Sequence, residues 1–265
     1  MEHFDQFAES YSEILNENVR ITGEDSAYFA VYKALYIARQ VGSSFAGSIL
    51  DYGCGVGALS RALKRLLPHA QVDGFDPSRS SIERIEPSLR AQGVFTWDRG
   101  RLGKDYALIV LANVLHHIRP ENRQETIRDL RRRMGPRARL VIVEHNPINP
   151  LTRWAVAHCP FDEDAVLLRS GEPVQYLQRA GLDSSRVDYI VFFPHPLRWL
   201  RRLEPQLRWC PLGAQYAVIA RDTGAMQANA GEHASAKTGH GSASSLGSDG
   251  RPETHERAGA AGAGV

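Results

Sequence analysis

The sequence predicts an α/β fold, and three observations predict it. Apolar runs of strand length alternate with amphipathic runs of helical length. Three alternating glycines, Gly53, Gly55 and Gly57, follow directly on Ile49-Leu50-Asp51 and lead into an amphipathic segment over residues 59–67. A second apolar run over residues 70–75 ends in Asp76. Strand, tight turn, helix and strand in this order form a nucleotide-binding corner. Glycine tolerates positive φ and lets the backbone approach a ligand, and the helix that follows offers free N–H groups. A carboxylate at the end of the second strand can accept hydrogen bonds from both hydroxyls of a ribose.

The elements follow in order. Phe4, Phe7, Ala8, Tyr11, Ile14 and Leu15 recur at helical spacing. A second helix is predicted from a cap at Asp25 or Ser26 to about residue 41, where Gly42 ends it. Beyond the glycine corner a helix is predicted over residues 78–89, with Pro77 near its first turn. A short third strand over residues 94–97 ends in Asp98. The run Tyr106-Ala107-Leu108-Ile109-Val110-Leu111 is apolar throughout, as a strand buried on both faces is. It leads into Asn113-Val114-Leu115-His116-His117-Ile118. Ligands of open α/β sheets bind beyond the carboxyl ends of the strands, so residues 113–117 should line the same cleft as residues 53–57.

A helix over residues 121–134 stops at Gly135-Pro136, and residues 138–144 supply a fifth strand. Pro147, Pro150 and Pro160, with asparagines between them, then argue for an ordered loop, predicted as a lid over residues 145–170. Arg153, Trp154, Phe161 and Arg169 in it suit an anionic or sugar-like ligand. A helix over residues 174–180 stops at Gly181, and two last strands are expected over residues 187–194 and 214–220. Between them, residues 197–203 are amphipathic and arginine-rich; they either cover the cleft or form a membrane-surface patch. After Asp222 the composition turns to glycine, alanine and serine. Residues 1–222 are therefore expected to form the domain and residues 223–265 a disordered tail.

Composition narrows the class. The chain has 265 residues, 43% hydrophobic and 23% charged, ordinary values for a globular protein. No apolar run reaches the length of a membrane span, and Met1-Glu2-His3-Phe4-Asp5 is too polar and acidic for a secretory signal, so a cytoplasmic protein is expected. Cys54, Cys159 and Cys210 match no metal spacing or redox pair and are expected to be buried thiols; no metal site is predicted. A net charge of +2 favours no particular partner. The arginines at 119, 123, 128, 131, 132, 133, 137 and 139 are expected to form a solvated helix face, the alternative being an anionic-ligand patch.

The glycines alone do not name a ligand, because Gly53-x-Gly55-x-x-Ala58 also fits a dinucleotide fingerprint. Asp51 decides between ligands. A carboxylate there would repel a pyrophosphate in a poorly solvated cleft, whereas it would attract a ligand carrying an ammonium and a sulfonium. The pattern Asp51-x-Gly53-x-Gly55-x-Gly57, with Asp76 after it, resembles motif I and its partner in class I S-adenosylmethionine-dependent methyltransferases. The segment Asn113-Val114-Leu115-His116-His117-Ile118 is similar to the segment after the fourth strand of that family. Glu144-His145-Asn146-Pro147 and Cys159-Pro160-Phe161-Asp162 resemble a bacterial subgroup, some members of which accompany sugar or polysaccharide genes.

The resemblance implies a Rossmann-like, seven-stranded, mostly parallel sheet with helices on both faces and an antiparallel last strand. It implies S-adenosyl-L-methionine as cofactor, held by Asp51, Gly53, Gly55, Gly57, Asp76, Asn113 and Val114. It also offers Asp98 for the adenine amino group, the alternative being a surface turn, and Tyr11 as a cofactor contact, the alternative being helix packing. The acceptor is expected to be a small molecule, a sugar or a lipid-linked intermediate, methylated at oxygen. A hydroxyl acceptor must lose its proton, and histidine suits that task near neutral pH. His145 is the first choice for the base and His117 the second, with His116 and Glu144 also at strand ends. A cofactor-binding partner or sensor without turnover is the alternative. A nucleic-acid substrate is disfavoured, because no Asn/Asp-Pro-Pro-aromatic motif follows the fourth strand.

Overall fold

The computed structural model describes residues 22–222. The expected N-terminal helix over residues 4–15 and the tail over residues 223–265 lie outside them. Among the described residues seven strands form one sheet: β1 (Ser48–Tyr52), β2 (Gln71–Phe75), β3 (Phe95–Thr96), β4 (Tyr106–Ala112), β5 (Met134–His145), β6 (Leu182–Ile190) and β7 (Gln215–Asp222). Their spatial order is β3-β2-β1-β4-β5-β7-β6. β1 pairs in parallel with β2 and β4, and β4 pairs in parallel with β5; β7 runs antiparallel to both of its neighbours, β5 and β6. The Rossmann-like sheet with one antiparallel strand is therefore as expected.

Alternation along the strands explains why both faces are covered. Leu50, Tyr52, Ile109, Leu111, Leu140, Ile142, Tyr216 and Val218 share one apolar cluster. Their sequence neighbours Ile49, Leu108, Val110, Val141, Val143, Ala217 and Ile219 belong to the other. Successive side chains of a strand point to opposite faces, so a run with no polar alternation needs a layer of helices on each side. Each fully buried Leu or Ile contributes about 1.5–3 kcal/mol.

The helices are α1 (Ser26–Val41), α2 (Ala58–Leu66), α3 (Arg79–Glu83), α4 (Pro87–Arg90), α5 (Pro120–Arg132), α6 (Pro150–Ala157) and α7 (Gly171–Arg179). Asp25 caps α1 by accepting a hydrogen bond from the Tyr28 nitrogen at 2.7 Å, and Gly42 closes it at φ 92°. The helix expected over residues 78–89 is instead two short pieces, α3 and α4. Pro87 has no N–H to continue the ladder and pushes Glu86 to an extended ψ of 129°, which breaks the run. The amphipathic stretch before β7 is a 3₁₀ segment, His195–Gln206, kinked at Leu197.

The arginine cluster is not wholly a solvated face. Arg128 and Arg132 are exposed, but Arg123 on α5 is buried, donating to the Ile118 and Val166 carbonyls at 2.9 and 2.7 Å. It ties the turn after β4 to the segment after α6.

Candidate active site

The first wall of the site is the turn after β1. Gly53, Gly55 and Gly57 all have positive φ, of 82°, 52° and 79°. At Gly53 a Cβ would stand 2.3 Å from Val114 Cγ2, so the turn closes only around a residue without a side chain. The Gly53 and Cys54 nitrogens donate to the Phe75 carbonyl at 2.7 and 3.0 Å, which fastens the turn to the end of β2. There Asp76 accepts from the Gly55 nitrogen at 2.8 Å and the Ser78 nitrogen at 2.9 Å. Cys54 is buried, and burial pushes its thiol well above the ordinary range, so it is not a nucleophile.

Asp51 is buried beneath the turn and accepts from Ser60 Oγ at 2.6 Å. Burial raises its pKa to about 6; the Ser60 hydrogen bond and the Lys33 charge hold it from rising further, while Asp76 adds to the rise. Lys33, on α1, is itself buried, and burial lowers its ammonium to about 8 against the pull of Glu144 and Asp51. One buried cation thus feels the charge of both strand-end carboxylates.

The opposite wall is built from the ends of β4 and β5. Asn113 occupies a left-handed conformation (φ 60°) that asparagine adopts more readily than most residues. Its Oδ1 accepts from Gln215 Nε2 at 3.3 Å. Glu144, fully buried at the end of β5, accepts from the Val114 nitrogen at 3.0 Å, the Leu115 nitrogen at 2.7 Å and His116 Nδ1 at 2.5 Å. A carboxylate that accepts from two backbone amides has little capacity left as a base, so Glu144 holds the turn Leu115–His117 in place.

Burial opposes charge on His116, but the Glu144 carboxylate outweighs it and holds the imidazole up at about 9. His145 behaves the other way. Burial, reinforced by the positive charge of His116, drives it down to about 3, so it stays neutral. Asp162, at the end of the short 3₁₀ turn Pro160–Asp162, brings Oδ1 to 3.4 Å from Nε2 of both His116 and His117.

These two walls enclose a cleft of about 360 Å³ at the carboxyl ends of β1 and β4, where the strand order turns from β2 on one side to β4 on the other. The chain matches the methyltransferase-domain family over residues 22–184. The chain belongs to that family. It is similar to the demethylmenaquinone methyltransferase of Thermotoga maritima, 30% identical over 104 residues, which cover 38% of this chain and 44% of that protein. The match thus spans less than half the length of this curated relative.

Among solved structures it is similar to an S-adenosylmethionine-dependent methyltransferase from Archaeoglobus fulgidus, with a TM-score of 0.58 at 14% identity over 75% of this chain and 95% of the other. It is also similar to the magnesium protoporphyrin IX methyltransferase of Synechocystis with S-adenosylmethionine bound, with a TM-score of 0.52 at 16% identity over 78% and 82%. The fold is that of a class I S-adenosylmethionine-dependent methyltransferase.

The residues of this chain fit S-adenosylmethionine on structural grounds. The turn presents backbone rather than side chain at Gly53, and the carboxylate of Asp51 lines the cleft where a cation would sit. Gln215 also lines it, with Oε1 buried and without a hydrogen-bond partner among the described residues, an acceptor in want of a donor.

Of the residues singled out from sequence, Asp51, Gly53, Gly55, Asn113, His117 and His145 line the cleft. Gly57 starts α2, Val114 packs behind Gly53, and Asp76 braces the turn. Asp98 is exposed and accepts from the Gly100 nitrogen at 2.8 Å, the geometry of a surface turn. Tyr11 lies outside the described residues. Lys33, Asp162 and Gln215 line the cleft and were not singled out. A lysine on an otherwise apolar helix face was the available signal for Lys33; nothing local marked Gln215.

Proposed function

We propose that this methyltransferase acts on a small acceptor with an apolar body, a lipid-linked intermediate rather than a bare sugar, and delivers the methyl group to oxygen. One observation carries the reading. Besides the glycine turn the cleft lining includes the apolar Leu151, Val156, Phe192 and Phe193; the charged Arg201 and Glu24 in it pair with each other at 2.7 Å, while His116, His117, His145 and Asp162 gather as the polar end. Such a division suits a ligand with an apolar stem and one polar reacting end.

When bound, S-adenosylmethionine supplies the methyl group and an excellent leaving group. The chain's residues supply alignment and exclusion of water. Asp51 and the glycine turn hold the cofactor, with Gly57, Asp76, Asn113 and Val114 shaping the pocket around it. His145 is neutral throughout the physiological range, so its ring nitrogen can accept a hydrogen bond from an acceptor hydroxyl and point that oxygen at the methyl group. Its low basicity assigns it chiefly to alignment.

The test uses S-adenosylmethionine carrying a labelled methyl, incubated with the protein and with acceptor fractions separated by organic extraction. Label is expected in the organic phase, in a product whose fragmentation places the methyl on oxygen. Label confined to the aqueous phase, or carried on carbon, would overturn the acceptor reading. Tight cofactor binding with no transfer to any fraction would favour a sensor instead.

A further inference from the structure

We propose that His116, His117 and Asp162 form a binding site for a divalent transition-metal cation of the Zn²⁺ class, opening on the cleft. Metal binding at this cluster does not depend on which acceptor the cleft takes.

Geometry is the first support. One ligand atom from each residue can be chosen so that all lie within 4.8 Å of one another. Asp162 Oδ1 is 3.4 Å from His116 Nε2 and 3.4 Å from His117 Nε2. Ligand bonds of about 2.1 Å in a tetrahedron place ligand atoms roughly 3.4 Å apart. Two of the three edges therefore already have the length that a tetrahedral ion requires.

The second support is independent of those distances. His116 is 1% exposed, yet its Nε2 makes no hydrogen bond among the described residues. Its other nitrogen, Nδ1, lies 2.5 Å from Glu144 Oε2. Glu144 also accepts backbone amides through its other oxygen and can only accept while ionised, so Nδ1 carries a proton towards it and Nε2 is the nitrogen whose proton a metal ion would replace. A carboxylate behind a histidine whose far nitrogen is bare is the arrangement that orients and strengthens metal-ligating imidazoles.

The donor set decides the chemical class. Two imidazole nitrogens and one carboxylate oxygen suit Zn²⁺, Co²⁺ and their neighbours, whereas Mg²⁺ and Ca²⁺ prefer oxygen alone. All three residues line the cleft, which leaves a fourth position open towards it. An oxygen atom of the acceptor could occupy that position.

The test uses the full chain stripped with chelator. Zn²⁺ alone is titrated by calorimetry, and Co²⁺ by visible absorption. One ion per chain at micromolar or tighter affinity is expected, with the intense visible bands of four-coordinate Co²⁺. His116 is too buried to replace safely, so Asp162→Ala and His117→Ala carry the test; each should weaken Zn²⁺ binding at least tenfold while the circular dichroism spectrum is kept. Glu144→Gln should weaken it by about ten- to a hundredfold, and His158→Ala, away from the cluster, should leave it unchanged.

Absence of stoichiometric Zn²⁺ binding, unchanged affinity in Asp162→Ala and His117→Ala, or displacement of Zn²⁺ by equimolar Mg²⁺ would overturn the proposal. S-adenosylmethionine affinity is measured on the same stripped protein. If it is retained while Zn²⁺ fails to bind, the metal site alone is refuted; if it too is lost, the methyltransferase reading fails separately.

Discussion

Glu144 lies 2.5 Å from His116, and through that contact the end of β5 fixes the turn that follows β4. The same carboxylate takes the amides of Val114 and Leu115, so three donors from one turn converge on one buried acceptor. Glu144→Ala would leave all three unsatisfied in a dry site. The expected cost is roughly 3–5 kcal/mol, the range for removing one partner of a buried charged pair. Glu144→Gln, which keeps an amide acceptor for the backbone, should cost less. Urea denaturation of the two variants beside the parent checks this; an unchanged midpoint for Glu144→Ala would show that the turn holds itself.

Asp51 predicts a pH dependence of cofactor binding. Its pKa is raised to about 6 in the cofactor-free protein, chiefly by burial. Between its unfolded value of 3.8 and about 6, the folded state keeps a proton that the unfolded chain has lost. Stability therefore falls as pH rises through that window, by about 3 kcal/mol at most. A cation binds the ionised form, so S-adenosylmethionine affinity should rise from pH 5 to pH 7 and level off above. Calorimetry across that range should show the rise in the parent protein. Asp51→Asn should bind weakly with a flat profile; a slope that survives in it would assign the titration elsewhere.

Lys33 gives the opposite sign. Burial holds its pKa at about 8, below the ordinary 10.5, so between those values the unfolded chain carries a proton that the folded one lacks. Stability from this group rises as pH climbs from 8 to 10.5. Lys33→Met should remove that rise and, by deleting a positive charge near Asp51, move the Asp51 titration above 6. Denaturation midpoints at pH 7.5 and pH 10 decide the first part and the cofactor-binding profile the second.

The contact between Gly53 and Val114 predicts a rescue. Gly53→Ala forces a Cβ to 2.3 Å from Val114 Cγ2 and a φ of 82° on an alanine. The left-handed backbone alone costs roughly 1–2 kcal/mol, and cofactor affinity should fall with it. Adding Val114→Ala opens the space but leaves the backbone strain. The double variant should therefore recover part of the loss, with a coupling of about 1 kcal/mol. Strict additivity would show that the close approach relaxes elsewhere at no cost.

What could be read in the sequence follows from how local the cause is. The glycine turn is legible because its chemistry lies within a dozen residues, as Asp51, Gly53 and Gly57 show. The strands are legible because Leu108 to Leu111 need burial on both faces, whatever packs there. Asp162 was not legible as a site residue, because only tertiary folding brings it to His116 and His117 from more than forty positions away. Arg123 was misjudged for the same reason: its carbonyl partners Ile118 and Val166 belong to loops that composition alone does not position. The break at Pro87 was within reach, since a proline inside a helical pattern carries its own warning.

Leu151 tests what the acceptor is. It lines the cleft yet is 64% exposed on the first turn of α6, so its replacement removes little packing and should change stability by less than about 0.5 kcal/mol. If an apolar stem lies along this wall, Leu151→Asp sets a charge against it. Transferring that stem onto a charged surface should raise the acceptor KM by roughly ten- to a hundredfold, the worth of one or two methylene contacts. The S-adenosylmethionine Kd should stay unchanged, because Leu151 belongs to the wall away from the glycine turn. Steady-state kinetics with the organic-phase acceptor, beside cofactor titration of the same variant, separate the two constants. A KM unaffected by the new carboxylate would mean that the acceptor does not touch this wall, and the apolar-stem reading would fall with it.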